Sequence, residues 1–501
     1  MFLRPDRDDA RLVAFYVGRV VTILGAIQAL PALVALGLGE WNAFTAFLIS
    51  MALAIGAGRV TELRLHTRAP LDWSHGMLIA SLSWLVGSVF AAIPLYLSGH
   101  VSGFVDAMFE AMSGLTTSGL TVLHDLDHLA YSVNLWRHLM HFAGGQGMVL
   151  AMLSLFGGAV GQAGTLYLGE ARDERIMPNV VRTARFIWRV SFGYLAIGTA
   201  SLLAVLVAAG LGPGRALIQS VELFMAAFDT GGFTPQSSSI AYYHSAAVEG
   251  VIVALMVAGT MSFGLHYQLW RGNRVELLRN VETRTIAATL LVLAVLTMIG
   301  LGRAGTYGDA IPLFRKGFFT VLSAHTGTGF AVTAPRLFIT DWGLLAPAAI
   351  VGAMALGGMA SSTAGGIKAI RVGITAKGLW KDIRRVVLPE SALVVATYHS
   401  QRRRILRDDQ VRSSVTVLLL YLLTYIAGGI LGLFYGFDFT EAMFESTSAS
   451  ANVGLSVGIT GPDLATPLKV SYIVQMWIGR LEFMAVFALL ATLLAAVRGR
   501  T

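Results

Sequence analysis

One stretch, used four times, restricts what this chain can fold into more than any other feature. It is clearest between Phe104 and Val122, where a short amphipathic run ends in Thr116-Thr117-Ser118-Gly119 and then in small and apolar residues. Three hydroxyl-bearing residues followed by glycine oppose continuation of a helix, so the stretch reads as a short helix emptying into an irregular segment. Phe104, Ala107, Met108, Phe109, Glu110, Ser113, Gly119, Leu120 and Val122 all recur in register between Phe439 and Val457, around Asn452-Val453-Gly454. Two weaker copies lie between them, around Thr230-Gly231-Gly232 and Gly327-Thr328-Gly329. One structural unit is thus used repeatedly along the chain.

The setting of these units is apolar. Hydrophobic residues make up 55% of the 501, charged residues only 13%, and mean hydropathy is +0.67. A soluble protein of this length does not reach such values, so the chain reads as an all-α polytopic membrane protein. Cysteine is absent, which excludes disulfides and thiolate metal sites. The net charge of +8 does not point to nucleic acid, because the basic residues sit in loops between apolar spans, where the positive-inside rule accounts for them. The charged first residues, Met1 to Arg11, lead into a long apolar run with no small-residue cleavage site and read as an uncleaved first span.

Spans of crossing length fall at about 12–39 and 43–63; this pair, within 1–70, stands outside the repeat. Unit one (71–170) has spans at 75–98 and about 131–160 around a short helix at 104–116, and leads to Arg172, Arg175, Arg182, Arg185 and Arg189. Unit two (171–284) has spans at 186–210 and 245–270 around a short helix at 216–228. Unit three (285–412) has spans near 285–302 and 343–367 around a short helix at 313–325, followed by the basic segment 368–412. Unit four (413–501) has spans at 414–436 and 468–497 around a short helix at 439–450. Ten spans result. Loops between units are basic and loops beside the short helices carry few charges, apart from Arg303, Arg315 and Lys316, which puts both termini in the cytoplasm. Two crossings per unit give all four the same orientation, as parallel repeats around one axis require.

Non-helical backbone at membrane depth is tolerated only where protein buries it or where it lines a watery path. Four such segments in one orientation suggest a pore lined by carbonyls, which can replace the water of a dehydrated potassium ion. Glycine at 119, 232, 329 and 454 permits backbone angles that aim carbonyls at an axis, and the negative ends of the short helices favour a cation there. A single glycine in a membrane helix is better explained by close packing; four in register after short helices are not.

Taken together, these residues resemble the Trk/Ktr/HKT superfamily of potassium transporters, and within it the TrkH-type translocating subunits, over nearly the whole chain. Besides the glycine segments, the resemblance rests on Gly144-Gly145-Gln146-Gly147-Met148, on Gly357-Gly358-Met359-Ala360-Ser361-Ser362-Thr363-Ala364-Gly365-Gly366-Ile367-Lys368, and on Gly479-Arg480-Leu481-Glu482. It implies four parallel helix–pore-loop–helix repeats around a pseudo-fourfold central pore in the cytoplasmic (inner) membrane. The transported K+ would be held at Thr117, Ser118 and Gly119, at Thr230, Gly231 and Gly232, at Gly327, Thr328 and Gly329, and at Asn452, Val453 and Gly454. A break in unit three, with Gly357, Gly358, Gly365, Gly366 and Lys368, would gate the path together with Arg480. The resemblance also implies a homodimer and a cytosolic ring of nucleotide-binding regulatory subunits; anionic membrane lipid accounts for part of the charge in 368–412.

The residues support the gate on their own, since 357–366 is too poor in side chains to pack as an ordinary helix in lipid, although a kinked structural helix would show the same composition. Arg480 lies inside an apolar span, where a charge costs about 3 to over 10 kcal/mol. Either it pairs with Glu482, Glu445 or Glu110, or it stands as a fixed charge near the path. Asp229 and His325 depart from the small or hydroxylated residues expected before a filter; the first either concentrates cations at the mouth or is an unremarkable capped carboxylate, the second either titrates or is structural. Ala451-Asn452-Val453 lack hydroxyls. Plant relatives that prefer sodium carry Ser at the first filter glycine, where this chain has Gly119. No nucleophile and base set, metal-ligand spacing or phosphate loop appears, so neither enzyme chemistry nor an organic cofactor is expected. The alternative to a gated channel-like translocator is a proton- or sodium-coupled carrier using Glu110, Glu445, Asp229 or Glu482.

Overall fold

The computed structural model describes residues 7–67, 69, 71–123, 125–147, 180–389, 391–392 and 394–498, with 180–184 and 498 by backbone alone. Met148, the rest of the span expected to 160, and Arg172 and Arg175 lie outside the described residues. Among the described residues six helices are long and apolar enough to cross a membrane: Arg7–Leu38, which turns slightly at Gln28, Trp41–Arg64, Trp73–Leu97, Arg185–Ala208, Val281–Ala304 and Asp408–Phe434. In Val281–Ala304 only 17% of the apolar window is buried, and Leu291 and Val292 lie open on its surface. Such a surface is stable only against lipid or another apolar partner.

Two of the ten expected spans are sharply bent. Ala246–Thr260 and Phe263–Trp270 meet at 102°, and Thr466–Arg480 and Met484–Val497 at 111°. The first bend forms because Ser262 leaves the helix and caps the next one, its hydroxyl accepting from Leu265 N at 3.1 Å. At the second, Glu482 and Phe483 take φ of 48° and 72°, which no helix accommodates. In unit three the second helix, Leu345–Ala355, ends after 11 residues and gives way to an irregular loop.

The short helices stand where the repeat places them, at Phe104–Leu115, Pro213–Phe228, Ala310–His325 and Phe439–Ser450. Proline opens the second and a capping box, Asp438 with Glu441, opens the fourth. Phe109, Phe224, Phe319 and Phe444 anchor them in the core. The N-terminal pair packs Arg7–Ile27 on Trp41–Arg64 and on Trp73–Leu97 of unit one. The basic segment corrects the all-α expectation, for Thr397–Ser400 pairs antiparallel with Arg402–Ile405 through a turn at Gln401, φ 56°. Tyr398 and Ser400 face inward and alternate with half-exposed neighbours, the period-2 pattern of a strand.

Candidate functional site

All four short helices end in the same cap. Ser118, Gly231, Thr328 and Val453 donate their backbone N–H to the carbonyls of Ser113, Ala226, Ser323 and Ser448 at 2.9, 2.8, 3.0 and 3.0 Å. The residue before each one, Thr117, Thr230, Gly327 and Asn452, is left-handed with φ of 54°, 50°, 73° and 54°, and bonds the carbonyl three residues back. These paired bonds define a Schellman cap, which normally takes glycine or asparagine at the left-handed position. Threonine there is strained, by about 1–3 kcal/mol, and such strain persists only where the surroundings enforce it. Two residues further on, Gly119, Gly232, Gly329 and Gly454 are left-handed again, with φ of 77°, 79°, 85° and 98°. Backbone of alternating hand lets successive peptide groups face one side, where an ordinary strand would alternate them.

The four glycine segments meet in cyclic order. A Cβ on Gly119 would stand 2.2 Å from the Gly231 carbonyl oxygen, one on Gly232 2.0 Å from that of Thr328, one on Gly329 2.0 Å from that of Val453, and one on Gly454 2.4 Å from that of Ser118. Each glycine therefore abuts the carbonyl just before the next glycine, and the fourth returns to the first. Asn452 Nδ2 also donates to Ser118 Oγ at 2.8 Å, so the segment without hydroxyls is tied across to the first by its amide. Behind three of the segments a glycine of the following helix sits on the last turn of the short helix: a Cβ on Gly144, Gly259 or Gly479 would stand 1.7, 2.0 or 1.9 Å from the carbonyl oxygens of Leu115, Phe228 and Ser450.

Buried polar groups brace the segments from behind. Glu110 accepts from Thr121 Oγ1 and Val122 N at 2.9 and 3.2 Å, and its repeat counterpart Glu445 accepts from Ser456 Oγ and Val457 N at 2.5 and 3.0 Å. Arg137 completes the first brace, its Nε 2.7 Å from Glu110 and its guanidinium 4.0 Å above the Phe233 ring. His141 spans two units: its Nε2 accepts from Phe233 N at 3.2 Å, so its Nδ1 carries the proton given to the Gly114 carbonyl at 2.8 Å. His138 reaches the Phe233 carbonyl at 3.2 Å. Sequence reading passed over Arg137, His138 and His141, although ionisable residues inside an apolar span are themselves a signal. Asp229 is fully buried and accepts from Gln146 Nε2 at 2.8 Å, behind the second segment. His325 bonds Thr289 Oγ1 at 2.7 Å and is 1% exposed, the structural arrangement of the two considered.

Beneath the ring lies the loop of unit three. Its ends are zipped by Gly357 N to the Ile367 carbonyl at 2.9 Å and Ala369 N to the Gly358 carbonyl at 2.9 Å. A Cβ on Gly357 would stand 1.9 Å from the Gly365 carbonyl oxygen, so the two arms touch through backbone alone, and Gly366 is left-handed at φ 67°. At its tip Thr363 Oγ1 lies 3.2 Å from Thr230 Oγ1 of the second segment and donates to the Gly259 carbonyl, and Gly365 packs on Asn452 of the fourth. Lys368 folds back onto the Ala364 carbonyl. Arg480 holds the tip to the first unit, donating to Thr363 O at 2.7 Å, Thr117 Oγ1 at 2.9 Å and Gly144 O at 2.9 Å. Glu482, one of the carboxylates considered for Arg480, accepts from Arg371 Nε at 3.0 Å. Thus all four glycine segments, the loop tip and Arg480 converge on one place.

Fold and site define a polytopic membrane protein whose buried short helices hold four glycine segments edge to edge beside the irregular loop 357–366. The model of the TrkH cation transport proteins matches residues 43–496, and the chain belongs to that family. It is 30% identical to the uncharacterized cation transporter MJ1485 of Methanocaldococcus jannaschii, over 98% of this chain and 97% of the relative. It is 28% identical to the Trk system potassium uptake protein TrkH of Halomonas elongata, over 96% and 98%. The crystal structure of the potassium transporter TrkH from Vibrio parahaemolyticus has the same fold, with a TM-score of 0.81, 22% identity and coverage of 96% of this chain and 98% of that one.

Proposed function

We propose that this chain is a gated, channel-like subunit for potassium uptake, built as four parallel units (71–170, 171–284, 285–412 and 413–501) around a pseudo-fourfold central pore. The observation that carries this reading is the closed cycle in which each filter glycine abuts the carbonyl preceding the next. Carbonyls presented by four left-right-left segments are the ligand set that substitutes for the hydration shell of K+. Gly119 in the first segment favours potassium over sodium, and the names of the relatives agree. Loop 357–366, pinned by Arg480, blocks the path below the filter, and releasing it opens the path. Of the acids a coupled carrier would use for its second ion, Glu110, Glu445 and Glu482 are engaged in bracing bonds and Asp229 accepts from Gln146 through one oxygen, and this favours the channel. Both termini and the basic loops face the cytoplasm, where 368–412 meets a regulatory nucleotide-binding ring, and the subunit works as a homodimer in the inner membrane.

The test is cation flux from proteoliposomes holding the purified chain. Potassium is expected to follow its own electrochemical gradient, with sodium poorly carried by the native chain and better carried by Gly119→Ser. Proton movement in fixed ratio to potassium would instead identify a carrier, and absence of any cation flux would defeat the reading.

A further inference from the structure

The basic segment after the loop builds a cavity that the transport path does not use. It measures about 580 Å³ and lies between the start of the span Val281–Ala304, the helix Ala369–Val387 and the hairpin. Arg279, Arg284, Lys377, His399 and Arg403 line it, over a floor of Val281, Ala288, Val372 and Ala376. His399 is paired, its Nε2 2.9 Å from Glu276. The other four cations make no ion pair with a carboxylate among the described residues: Arg284 Nε bonds the Leu278 carbonyl, Lys377 Nζ the Thr397 carbonyl, and Arg403 Nε the Thr397 hydroxyl. Four cations lining one concavity with no ion pair among the described residues repel one another. An anion with several oxygen acceptors relieves that repulsion, and guanidinium forks suit phosphate geometry above other anions.

The cavity is also wired to the loop. Its floor helix supplies Glu282, which accepts from Ala360 N of the loop at 2.6 Å, and Thr289 at its inner end, which bonds His325 at the foot of the third short helix. Its opposite wall is the helix that begins at Ala369, immediately after the loop. Gly373 lets these walls approach, since a Cβ there would stand 2.7 Å from Thr285 Oγ1. A ligand bridging Arg279 and Arg284 to Lys377 and Arg403 therefore fixes the spacing between the helix that leaves the loop and the helix that holds the loop through Glu282.

We propose that this cavity is a regulatory site for a phosphate-bearing anion, whose occupancy sets the position of the unit-three loop; the regulatory half rests on the gating reading above. The phosphate has two possible sources, an anionic lipid headgroup or a soluble phosphate. Leu379, Trp380 and Ile383, exposed on the Ala369–Val387 helix beside the site, suit insertion at a lipid surface.

The experiment uses the full chain and reads binding separately from transport. Native mass spectrometry measures retained phosphatidylglycerol against phosphatidylcholine, and melting in phosphatidylcholine nanodiscs measures the shift given by inorganic pyrophosphate. Arg284→Gln and Lys377→Gln are compared with Arg402→Gln, a hairpin arginine outside the cavity lining. Phosphatidylglycerol retention falling about fivefold in each cavity variant, ~1 kcal/mol per charge, with Arg402→Gln unchanged, supports the site with lipid as its source. A pyrophosphate shift present in the native chain and lost in the cavity variants supports it with a soluble source. Equal binding in all variants, or equal loss in Arg402→Gln, overturns it. In flux assays the native chain should respond to anionic against zwitterionic vesicles by severalfold and Arg284→Gln should not; equal response of the two would overturn the regulatory half. Absence of flux in every vesicle would defeat the transport reading while leaving the binding result standing.

Discussion

Replacing Arg480 with glutamine tests the gate where its geometry is most explicit. The guanidinium makes three bonds, to Thr363 in the loop, Thr117 in the first glycine segment and Gly144 behind it. Of these three, the Thr363 bond is the one that reaches the loop, and a hydrogen bond from a charged group contributes about 1.5–3 kcal/mol. Losing it shifts the balance between pinned and released loop by roughly ten- to a hundredfold. The positive charge acts separately: at about 6 Å and an effective dielectric of about 20 it opposes a passing potassium ion by ~3 kcal/mol. Both effects have the same sign, so Arg480→Gln raises flux at matched expression. Arg480→Lys separates them, because it keeps the charge and loses the fork. If the tether dominates, the lysine variant flows nearly as fast as the glutamine variant; if the charge dominates, it flows like the native chain. Flux in Arg480→Gln equal to or below native, in protein that melts normally, would refute the reasoning.

Thr363→Val removes the loop tip's bond to the Gly259 carbonyl and its approach to Thr230; it should raise flux, and less than additively with Arg480→Gln because the two share one element. Gly329→Ala places a Cβ 2.0 Å from the Val453 carbonyl oxygen at φ 85° and should abolish flux, whereas Gly305→Ala, at φ 66° with open space around it, should cost about 1–2 kcal/mol of stability and leave flux intact. Arg137→Met strands Glu110 in the core and should lower stability by about 3–5 kcal/mol in thermal melting; adding Glu110→Gln should recover part of it.

The filter was legible because its glycines answer a backbone requirement, and a requirement imposed four times leaves a repeat. The unit-three break was legible for a similar reason: nothing but small residues fits where Gly357 meets the Gly365 carbonyl at 1.9 Å from its missing Cβ. The bends after Thr260 and Arg480 were not. Met261-Ser262 and Leu481-Glu482-Phe483 sit inside windows apolar enough to pass as continuous spans, and hydropathy does not register backbone direction. Threonine at the left-handed cap positions was equally hidden, since its presence at Thr117 and Thr230 runs against local preference and is enforced by packing around it. Asp229 is half legible for a related reason: its place beside the second segment is visible in sequence, but its direction, toward Gln146 behind the segment, depends on a neighbouring unit.

The central claim is that the cycle of glycine and carbonyl contacts is the ion site. Anomalous scattering from crystals of the full chain grown in rubidium, a potassium surrogate, tests it most directly. A peak is expected on the axis enclosed by the carbonyls of Ser118, Gly231, Thr328 and Val453, displaced by potassium and not by sodium. Rubidium bound elsewhere in the membrane-spanning region, with that axis empty, would contradict it.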